Sequence, residues 1–574
     1  MKVLNLHVDY INFKPLKKAV KDIGELSEDE KKEKSVEEAL AALVAIEKGD
    51  EKVDELVEEL KSSIENVAGQ LNVENVVVYP YSHLSQNLGS PDVAQKVLKN
   101  VQEKLQGEGY NVERAPFGYY KQFELKVKGH PLSELSKNIK VKGEEKTSRE
   151  ELDNLIKRME KFSMGSQKPP GGQKNHIQLG QEMDIFTVNE VVGHGLPLFT
   201  PRGTTMRREI ERFIVDEELR RGYEHTSTPE MASSDLFKVS GHWDHYKEDM
   251  FTMEVGNKDF ALRPMTCPFQ YLLYKRKQRS YKDLPKKYAE IATLFRGEKS
   301  GELRGLTRVR QLTLSDAHII CRPDQLQAEF EKVLDLLNYI MDKLGVGDIW
   351  YRFSKWDPAK KGDKYIDDEQ AWEKTQTAMK QILDQLGLEY VEAEDEAAFY
   401  GPKLDLQYKD VFGKEDTLIT VQIDFNSAER FNMEYKDENN EMQRPMIIHR
   451  SSAGTTERMI SYILEKTQGH LPTWLAPEQV RVLNFTDRNF NYANEIVAKI
   501  KEKIPHARVE TDYSSRRVQA KVKEAENLKV PYVLVAGDKE QEENAVSVRK
   551  AGKVEKQNVD EFVESLKSEI ENRE

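Results

Sequence analysis

The chain has 574 residues, which is too long for one compact core and predicts about three to four units at roughly 150 residues per domain. No apolar run approaches the ~18 residues of a membrane span, and 33% of the residues are charged, which excludes a membrane-spanning protein. The net charge of −13 excludes a uniformly basic nucleic-acid surface, so any RNA affinity has to come from local basic patches.

The cellular location is predicted from two features. Only two cysteines occur, Cys267 and Cys321, and residues 1–9 lack the basic and long apolar regions of a signal peptide. We therefore expect a cytoplasmic protein in a reducing compartment, without a membrane partner.

The first 140 residues have the pattern of a mixed α/β domain. Residues 3–8 alternate in polarity like a short strand, and residues 76–79 predict a second strand. Ser90-Pro91 predicts the start of a helix, which Gly107 should end. A capping box at residues 35–38 predicts another helix. The apolar stripe of that helix comprises Val36, Leu40, Leu43 and Val44.

Residues 141–175 predict a linker, because they are highly charged and contain the breaker Gly165-Ser-Gln-Lys-Pro-Pro-Gly-Gly172. Residues 176–473 interleave helices such as 205–221 with alternating strands such as 308–313, which predicts an α+β domain.

The last predicted domain comprises residues 474–574, where strands and helices alternate more regularly. Strands separated by helices predict a small, mostly parallel sheet that is covered on both faces. The predicted strands are residues 480–485, 508–511 and 532–536, and the predicted helices are residues 491–503 and 514–527.

Two familiar phosphate-binding motifs do not occur: there is no Gly-x-x-x-x-Gly-Lys-Ser/Thr, and no Gly-x-Gly-x-x-Gly follows a strand. The pair His242 and His245, one helical turn apart, could be two metal ligands, but no third ligand lies at a standard zinc spacing. We favour a hydrogen-bonding or packing role for this pair.

Phe295-Arg-Gly-Glu298, a loop, and then Arg308-Val-Arg-Gln-Leu-Thr313 predict two antiparallel strands joined by a long polar connection. Arginine suits a phosphate that gains charge during nucleophilic attack, because its planar fork binds two phosphate oxygens. A hairpin with a solvated charged face explains the same residues.

A second signature joins Met446-Ile-Ile-His-Arg450 to Gly454-Thr-Thr-Glu-Arg-Met459. It predicts a strand that turns at a glycine into a helix with Arg458 in its first turn, where backbone amides and a guanidinium can face an anion together. A third signature, Thr228-Pro229 after an amphipathic helix, is by itself only a turn.

Together the three signatures resemble the motifs of class II aminoacyl-tRNA synthetases. Finer strings narrow the resemblance to threonyl-tRNA synthetases of the archaeal type, and it covers nearly the whole chain. It implies a multidomain α+β protein: a central antiparallel sheet with helices, an N-terminal α/β editing domain and a C-terminal α/β anticodon-binding domain. The strings are Arg263-Pro-Met-Thr-Cys-Pro268, Leu314-Ser-Asp-Ala-His-Ile-Ile-Cys321, Ala398-Phe-Tyr-Gly-Pro-Lys403 and Pro472-Thr-Trp-Leu-Ala-Pro477.

The resemblance implies ATP-dependent activation of L-threonine, with Mg²⁺ accompanying ATP, and transfer of threonine to tRNA(Thr). Arg296 would bind the α-phosphate, Glu298 the adenine amino group and Arg458 the terminal phosphate. Lys403 would join this clamp of charges.

The same resemblance makes Cys267, His318 and His449 the ligands of one zinc ion per subunit, with Cys321 as a competing thiolate. An apolar pocket separates threonine from its isostere valine by only about 10²-fold, whereas zinc could bind the amino and hydroxyl groups of threonine. Serine keeps both groups, and its missing methyl is worth ~1–3 kcal/mol, so mischarging with serine is expected. The residues that would support the threonine pose are Asp316, Tyr400 and Gln422.

Removal of mischarged serine would fall to the N-terminal domain, which resembles the archaeal editing domain. The strings Arg114-Ala-Pro-Phe-Gly-Tyr-Tyr-Lys121 and Gly129-His-Pro-Leu-Ser-Glu134 carry this resemblance. Lys121 would position the ester or an attacking water, although residues 119–121 also fit an ordinary strand with aromatic packing. The residues that would shape the pocket around Lys121 are His83, Tyr120 and Glu134.

The C-terminal domain resembles the anticodon-binding domain shared by several class II enzymes. Glu540 and Arg549 occupy positions that would read the anticodon. The segments Ser514-Ser-Arg-Arg517 and Val546-Ser-Val-Arg549 would place cations near the edge of the domain, where they suit RNA phosphates and bases. The signature around Pro229 implies a homodimer.

Two alternatives remain open at this level. A synthetase for serine or proline would differ at the three proposed zinc ligands. A non-catalytic paralogue that binds tRNA for regulation would be expected to lose Arg296, Lys403 or Arg458, all of which are present.

Overall fold

The computed structural model describes residues 1–20, 23–85, 87–139, 149–162 and 168–574. The chain divides into two compact units, Met1–Arg149 and Glu150–Glu574. Of the predicted linker, residues 141–148 and 163–167 lie outside the described residues. Within the described ranges, no helix is long and apolar enough to cross a membrane.

The first unit is built on one six-stranded mixed sheet. Its strands are β1 (Lys2–Lys18), β2 (Lys34–Ala45), β3 (Asn75–Pro80), β4 (Asn111–Arg114), β5 (Tyr119–Val127) and β6 (Glu134–Asn138), and its helices are α1 (Val53–Leu71) and α2 (Pro91–Gly107). β1 pairs antiparallel with β2, β5 and β6, whereas β2, β3 and β4 run parallel. One core joins α1 and α2 to one face of this sheet.

The helix predicted at residues 35–44 is wrong, because this stretch lies in β2. Alternate side chains of residues 39–44 enter two different cores on opposite faces of the sheet. A strand covered on both faces gives a continuous apolar run, and such a run satisfies helical spacing as well. Ser35 Oγ donates to Asn12 Oδ1 on β1 at 2.6 Å, so it pairs with the neighbouring strand and caps no helix.

The other predicted elements of the first unit are confirmed. The strand at residues 3–8 lies within β1, the strand at residues 76–79 lies within β3, and the helix after Ser90 is α2.

The second unit opens with small elements and continues into a large sheet. Its first fifteen strands are β7 (Phe186–Thr187), β8 (Leu198–Phe199), β9 (Glu224–His225), β10 (Met231–Ser233), β11 (Thr252–Val255), β12 (Lys258–Leu262), β13 (Lys286–Phe295), β14 (Gln311–Cys321), β15 (Trp350–Ser354), β16 (Tyr390–Ala393), β17 (Lys403–Lys409), β18 (Glu415–Asp424), β19 (Tyr435–Lys436), β20 (Met442–Gln443) and β21 (Met446–Thr455). The helices of this region are α3 (Arg149–Met159), α4 (His176–Glu182), α5 (Pro201–Arg220), α6 (Ser234–Ser240), α7 (His242–Tyr246), α8 (Cys267–Lys275), α9 (Leu326–Lys343), α10 (Glu369–Gln385), α11 (Ser427–Arg430) and α12 (Thr456–Thr467).

The large sheet has eight strands in the order β16-β15-β17-β18-β21-β14-β13-β9. All neighbours from β15 to β13 are antiparallel, which confirms the predicted central antiparallel sheet, and only the two outermost pairs are parallel. Helices α5, α9 and α12 share one large core with one face of the sheet. The other face has its own smaller core with α8, built on Tyr288, Ile320 and Ile447, and it also carries buried polar side chains, so it is called the polar face below.

The long connection between β13 and β14, residues 296–310, is called the arginine loop below. Phe295 pairs with Gln311 at its base, as the antiparallel prediction required. The second strand begins at Gln311 and not at Arg308, because the amide of Arg310 donates to Gly195 O (2.8 Å) and leaves the ladder. The predicted turn from strand into helix is confirmed where β21 meets α12, with Arg458 in the first turn.

The C-terminal region forms a separate five-stranded sheet in the order β23-β22-β24-β25-β26. Its elements are β22 (Val480–Asn484), β23 (Val509–Asp512), β24 (Tyr532–Ala536), β25 (Ala545–Lys550), β26 (Lys553–Asn558), α13 (Phe490–Lys503), α14 (Val518–Asn527), α15 (Asp538–Glu542) and α16 (Val559–Glu571). The three predicted strands are parallel, but the pairs β24–β25 and β25–β26 are antiparallel, so the prediction of a mostly parallel sheet is wrong and the sheet is mixed.

Helix α14 begins at Val518, four residues later than predicted. Ser514 donates through its amide (3.0 Å) and its hydroxyl (2.6 Å) to Asp512 Oδ1, which holds residues 514–517 in a turn. Separate cores lie on the two sides of the sheet, so the prediction that both faces are covered is confirmed.

Candidate active site

One cavity of about 660 Å³ lies against the polar face of the eight-stranded sheet. The ten residues predicted for the synthetic reaction all line it, although they come from distant parts of the sequence. They are Cys267, Arg296, Glu298, Asp316, His318, Tyr400, Lys403, Gln422, His449 and Arg458.

Strand register brings four of these residues into one row. Lys403 of β17 pairs with Gln422 of β18, Gln422 pairs with His449 of β21, and His449 pairs with His318 of β14. Directly opposed residues on antiparallel strands project from the same face of a sheet. The row therefore runs straight across the cavity floor.

Cys267, His318 and His449 form a candidate metal site. All three are buried, and their donor atoms lie within 4.8 Å of one another. No other such group occurs among the described residues. Cys267 is the first residue of α8, so its sulfur reaches the sheet from a helix N-terminus.

Hydrogen bonds outside the cluster orient both histidines. Gln270 donates through Nε2 to Thr226 Oγ1 (2.9 Å), so its carbonyl accepts from His318 Nδ1 at 2.6 Å and leaves His318 Nε2 as a free lone pair. His449 Nε2 lies 2.9 Å from the buried carboxylate of Asp424, which leaves Nδ1 toward the cluster. Carboxylate or carbonyl partners of this kind usually fix the tautomer of metal-binding histidines.

The donor set fits a zinc ion. Burial, with the negative charge of Asp316 second, raises the pKa of the Cys267 thiol, so a buried thiolate here needs a cation beside it. One sulfur and two imidazoles are donors that suit zinc, and three protein ligands leave open positions. Cys321, the competing thiolate, lies in the main apolar core, where burial raises the pKa of its thiol to about 12. It is therefore a packing residue and lies outside the candidate metal site.

Three charged residues of the cavity, Glu298, Lys403 and Arg458, are already paired. Glu298 accepts from Arg308 Nε at 2.7 Å, and Lys403 Nζ lies 3.3 Å from the buried carboxylate of Asp405. Arg458 donates through Nε (3.2 Å) and Nη2 (3.1 Å) to Thr307 O. A guanidinium has five donors, so Arg458 retains capacity for an anion.

The residues predicted to support the amino acid form two further contacts. Tyr400 OH donates to Gln422 Oε1, and Thr266 Oγ1 donates to Asp316 Oδ2. Burial raises the pKa of Asp316. Thr266 lies in the quoted string Arg263-Pro-Met-Thr-Cys-Pro268 but was given no role, and Gln270 and Asp424 lie in no quoted string. Nothing in their spacing marks the three as partners of distant residues.

The pair His242 and His245 has the hydrogen-bonding and packing role that we favoured. His242 Nδ1 lies 2.9 Å from Ser240 Oγ, and His245 stacks on Phe399 with ring centroids 4.7 Å apart. Burial lowers the pKa of His242 to about 3, so a neutral imidazole stands in the cavity wall.

In the first unit, Lys121 is held among aromatic rings and carbonyls. Its Nζ donates to Pro116 O (2.9 Å) and Tyr119 O (3.1 Å) and lies 5.1 Å from the ring centroid of Tyr79. Burial lowers the pKa of Lys121 to about 8. His83 joins the same cluster through Tyr81, since their ring centroids are 5.4 Å apart.

The other two residues predicted for the editing pocket lie elsewhere in the same unit. Tyr120 neighbours Lys121 on β5, so its side chain projects from the opposite face, and it is 63% exposed. Glu134 pairs with Leu6 on β1, whereas Lys121 pairs with Pro15. At ~3.3 Å per strand residue this register separates the two by about 30 Å along β1.

The predicted anticodon readers lie on neighbouring elements of the C-terminal domain, Glu540 on α15 and Arg549 on β25. Glu540 Oε1 accepts from Ser547 Oγ at 2.7 Å, and Ser547 and Arg549 alternate with Val548 on β25, so they share a face. Arg549 is half-buried, and its Nε has no hydrogen-bond partner within the described part of the chain.

Comparison with known families first defines the class. Residues 251–467 match the tRNA synthetase class II core domain (G, H, P, S and T), and residues 479–571 match an anticodon binding domain. These matches give the second unit the two domains of a class II tRNA synthetase. Residues 1–139 match the archaea-specific editing domain of threonyl-tRNA synthetase.

Individual relatives narrow the class further. A threonine–tRNA ligase of Clostridium perfringens is 52% identical over 408 residues, which cover 70% of this chain and 63% of the relative. The crystal structure of the RNA binding domain of threonyl-tRNA synthetase from Cryptosporidium parvum has 33% identity and a TM-score of 0.65, covering 69% of this chain and 98% of that one. A putative threonyl-tRNA synthetase of Aeropyrum pernix has 28% identity and a TM-score of 0.61, covering 70% and 97%.

The chain belongs to the threonyl-tRNA synthetase family. It spans about 63% of the length of the curated relatives it matches.

Proposed function

We propose that this chain activates L-threonine with ATP and transfers it to tRNA(Thr). One observation carries the proposal: the Cys267, His318 and His449 cluster lies in the same cavity as Arg296, Lys403 and other cations suited to ATP. An amino-acid site and a phosphate site that share one cavity are what adenylate formation requires, because the carboxylate has to reach the α-phosphate.

On the phosphate side, Arg296 would bind the α-phosphate and stabilise the charge that develops as the carboxylate attacks. Lys403 and Arg458 would hold the remaining phosphates, with Mg²⁺ accompanying ATP. Glu298, already fixed by Arg308, would accept from the adenine amino group.

On the amino-acid side, bound zinc would supply coordination positions for the amino and hydroxyl groups of threonine. Gln270 and Asp424 hold the two histidines in the tautomers that such a site needs. Gln422 accepts a hydrogen bond from Tyr400, and Asp316, which lines the same cavity, would accept one from the substrate amine.

Pyrophosphate exchange with threonine, serine and valine tests the proposal. Threonine and serine should support exchange, because both carry an amine and a β-hydroxyl, and valine should not. Robust exchange with valine would contradict a role for the metal in recognition, and no exchange with any of the three would contradict activation itself. The second outcome would favour the non-catalytic tRNA-binding alternative.

The remaining parts of the proposal concern tRNA. The first unit would hydrolyse seryl-tRNA(Thr) at the cluster of Lys121, Tyr79, Tyr81 and His83, which is called the Lys121 pocket below. The C-terminal domain would read the anticodon with Glu540 and Arg549. The chain would act as a homodimer in the cytoplasm, where both cysteines are unpaired thiols.

A further inference from the structure

The arginine loop rests on a histidine that lies just after the linker. His176 opens α4 and is 3% exposed. Its Nε2 lies 3.2 Å from the amide nitrogen of Leu306, and its Nδ1 lies 2.6 Å from Glu465 Oε1 on α12. The His176 imidazole thus connects helix α12 to the arginine loop.

These partners fix the tautomer of His176. The Leu306 amide can only donate, so Nε2 has to present a lone pair, and the ring proton is on Nδ1, where it is donated to Glu465. Glu465 Oε1 also accepts from the His176 amide at 3.0 Å. Both nitrogens of the imidazole are therefore satisfied.

The loop backbone passes in direct contact with this ring. Gly305 has a φ of +49°, and a Cβ at this position would lie 2.1 Å from His176 Nε2. Leu306, the next residue, is fully buried in the main core. This close contact therefore requires glycine at position 305, because any larger residue would clash with the imidazole of His176.

The contact continues into the cavity through the following residue. The carbonyl of Thr307 accepts both hydrogen bonds from Arg458 described above. Arg458 and Glu465 both belong to α12, about two turns apart. Helix α12 thus holds the loop at two points, directly through Arg458 and indirectly through His176.

We propose that His176 is a positioning residue for ATP: by accepting from the Leu306 amide, it sets the Thr307 carbonyl that braces Arg458. The proposal rests on the proposed function, since it assumes that Arg458 binds a phosphate of ATP. Helix α4 would thus affect ATP binding although none of its residues lines the cavity.

Two substitutions test the roles of the two ring nitrogens of His176 separately. His176→Asn keeps a donor near the Nδ1 position and removes the acceptor for Leu306, whereas His176→Gln can place a carbonyl near the Nε2 position. Tyr462→Phe is the matched control, because it removes one hydrogen bond from the same helix, to Gly347 O, away from the arginine loop. The full-length variants are compared by pyrophosphate exchange and by amide hydrogen exchange of residues 303–309.

We expect His176→Asn to raise KM for ATP about tenfold or more, because it leaves a buried amide without a partner. His176→Gln should stay within about threefold of the wild type, Tyr462→Phe should not change, and KM for threonine should stay constant in all three. Faster amide exchange in the loop should accompany the Asn variant alone.

An unchanged KM for ATP in His176→Asn, or a parallel rise of KM for ATP and threonine in both His176 variants, would overturn the inference. If the wild type itself shows no exchange with threonine, the proposed function fails. Amide exchange of the loop then still decides whether His176 positions it.

Discussion

The synthetic cavity and the Lys121 pocket surround their charged side chains with different partners. In the cavity, Lys403 and Arg458 each lie beside a carboxylate, at 3.3 Å from Asp405 and 3.6 Å from Asp416. In the first unit, the partners of Lys121 Nζ among the described residues are two carbonyls and an aromatic ring, and burial lowers its pKa to about 8. The two cavity cations thus keep a carboxylate beside them, whereas Lys121 is desolvated among neutral groups.

The largest effect is expected from the metal cluster. Cys267→Ser should remove the metal and abolish threonine activation, a greater loss than the ~10–100-fold that follows when an outer partner of a metal ligand is removed. Metal content by elemental analysis and pyrophosphate exchange measure the two consequences. Deacylation of preformed seryl-tRNA should continue, because Lys121 belongs to the other unit.

Cys321→Ser is the control for this substitution, because Cys321 is a buried cysteine of the apolar core. It should keep both metal and exchange activity. A Cys267→Ser variant with full zinc occupancy and normal activity would reassign the thiolate ligand.

Lys121→Met should have the converse effect. Threonine activation should be normal, while seryl-tRNA decay on addition of the enzyme should fall to the uncatalysed rate. Lys126→Met is matched to it, since Lys126 lies on the same strand but is exposed and pairs with Asp9 at 2.9 Å. Rapid hydrolysis by the Lys121 variant would exclude this lysine from editing.

The contrast between the sites also decides what the sequence could predict. The resemblance pointed to ten residues that line the cavity, nine of them within the quoted strings and signatures, with Gln422 outside them. The row from Lys403 to His318, however, depends on register among four strands that are far apart in the chain. Partners such as Asp424 carry no motif, so only the folded sheet reveals them. The helix predicted at residues 35–44 failed for a related reason, since burial on both faces of β2 is a tertiary property.

A smaller effect concerns stability and pH. The folded pKa of Lys121, about 8, lies below its unfolded value of ~10.4, so the folded state binds fewer protons between these values. The cost of burying the charge is therefore fully present below pH 8 and is relieved as the pH rises toward 10.4. Lys121→Met should raise the free energy of unfolding of the first unit by ~1–3 kcal/mol at pH 7, and the gain should shrink above pH 8.

Chemical denaturation at pH 7 and pH 10 measures this difference, with Lys126→Met as the exposed reference. A gain that is equal at both pH values would mean that the substitution acts through apolar packing of the methionine and not through the buried charge.

The smallest effect is expected at Tyr120, and it sharpens the boundary of the Lys121 pocket. The resemblance placed Tyr120 in this pocket, whereas strand alternation directs its side chain to the opposite face of β5. Tyr120→Phe removes only an exposed hydroxyl. If a single chain forms the whole Lys121 pocket, the rate of seryl-tRNA deacylation should change by less than about threefold, which is under ~1 kcal/mol in activation free energy. Tyr79→Phe is the comparison, because the Tyr79 ring lies beside Lys121 Nζ. If Tyr120→Phe slows deacylation as strongly as Lys121→Met does, the face of β5 that carries Tyr120 has to belong to the site, and a single copy of the unit does not contain the whole pocket.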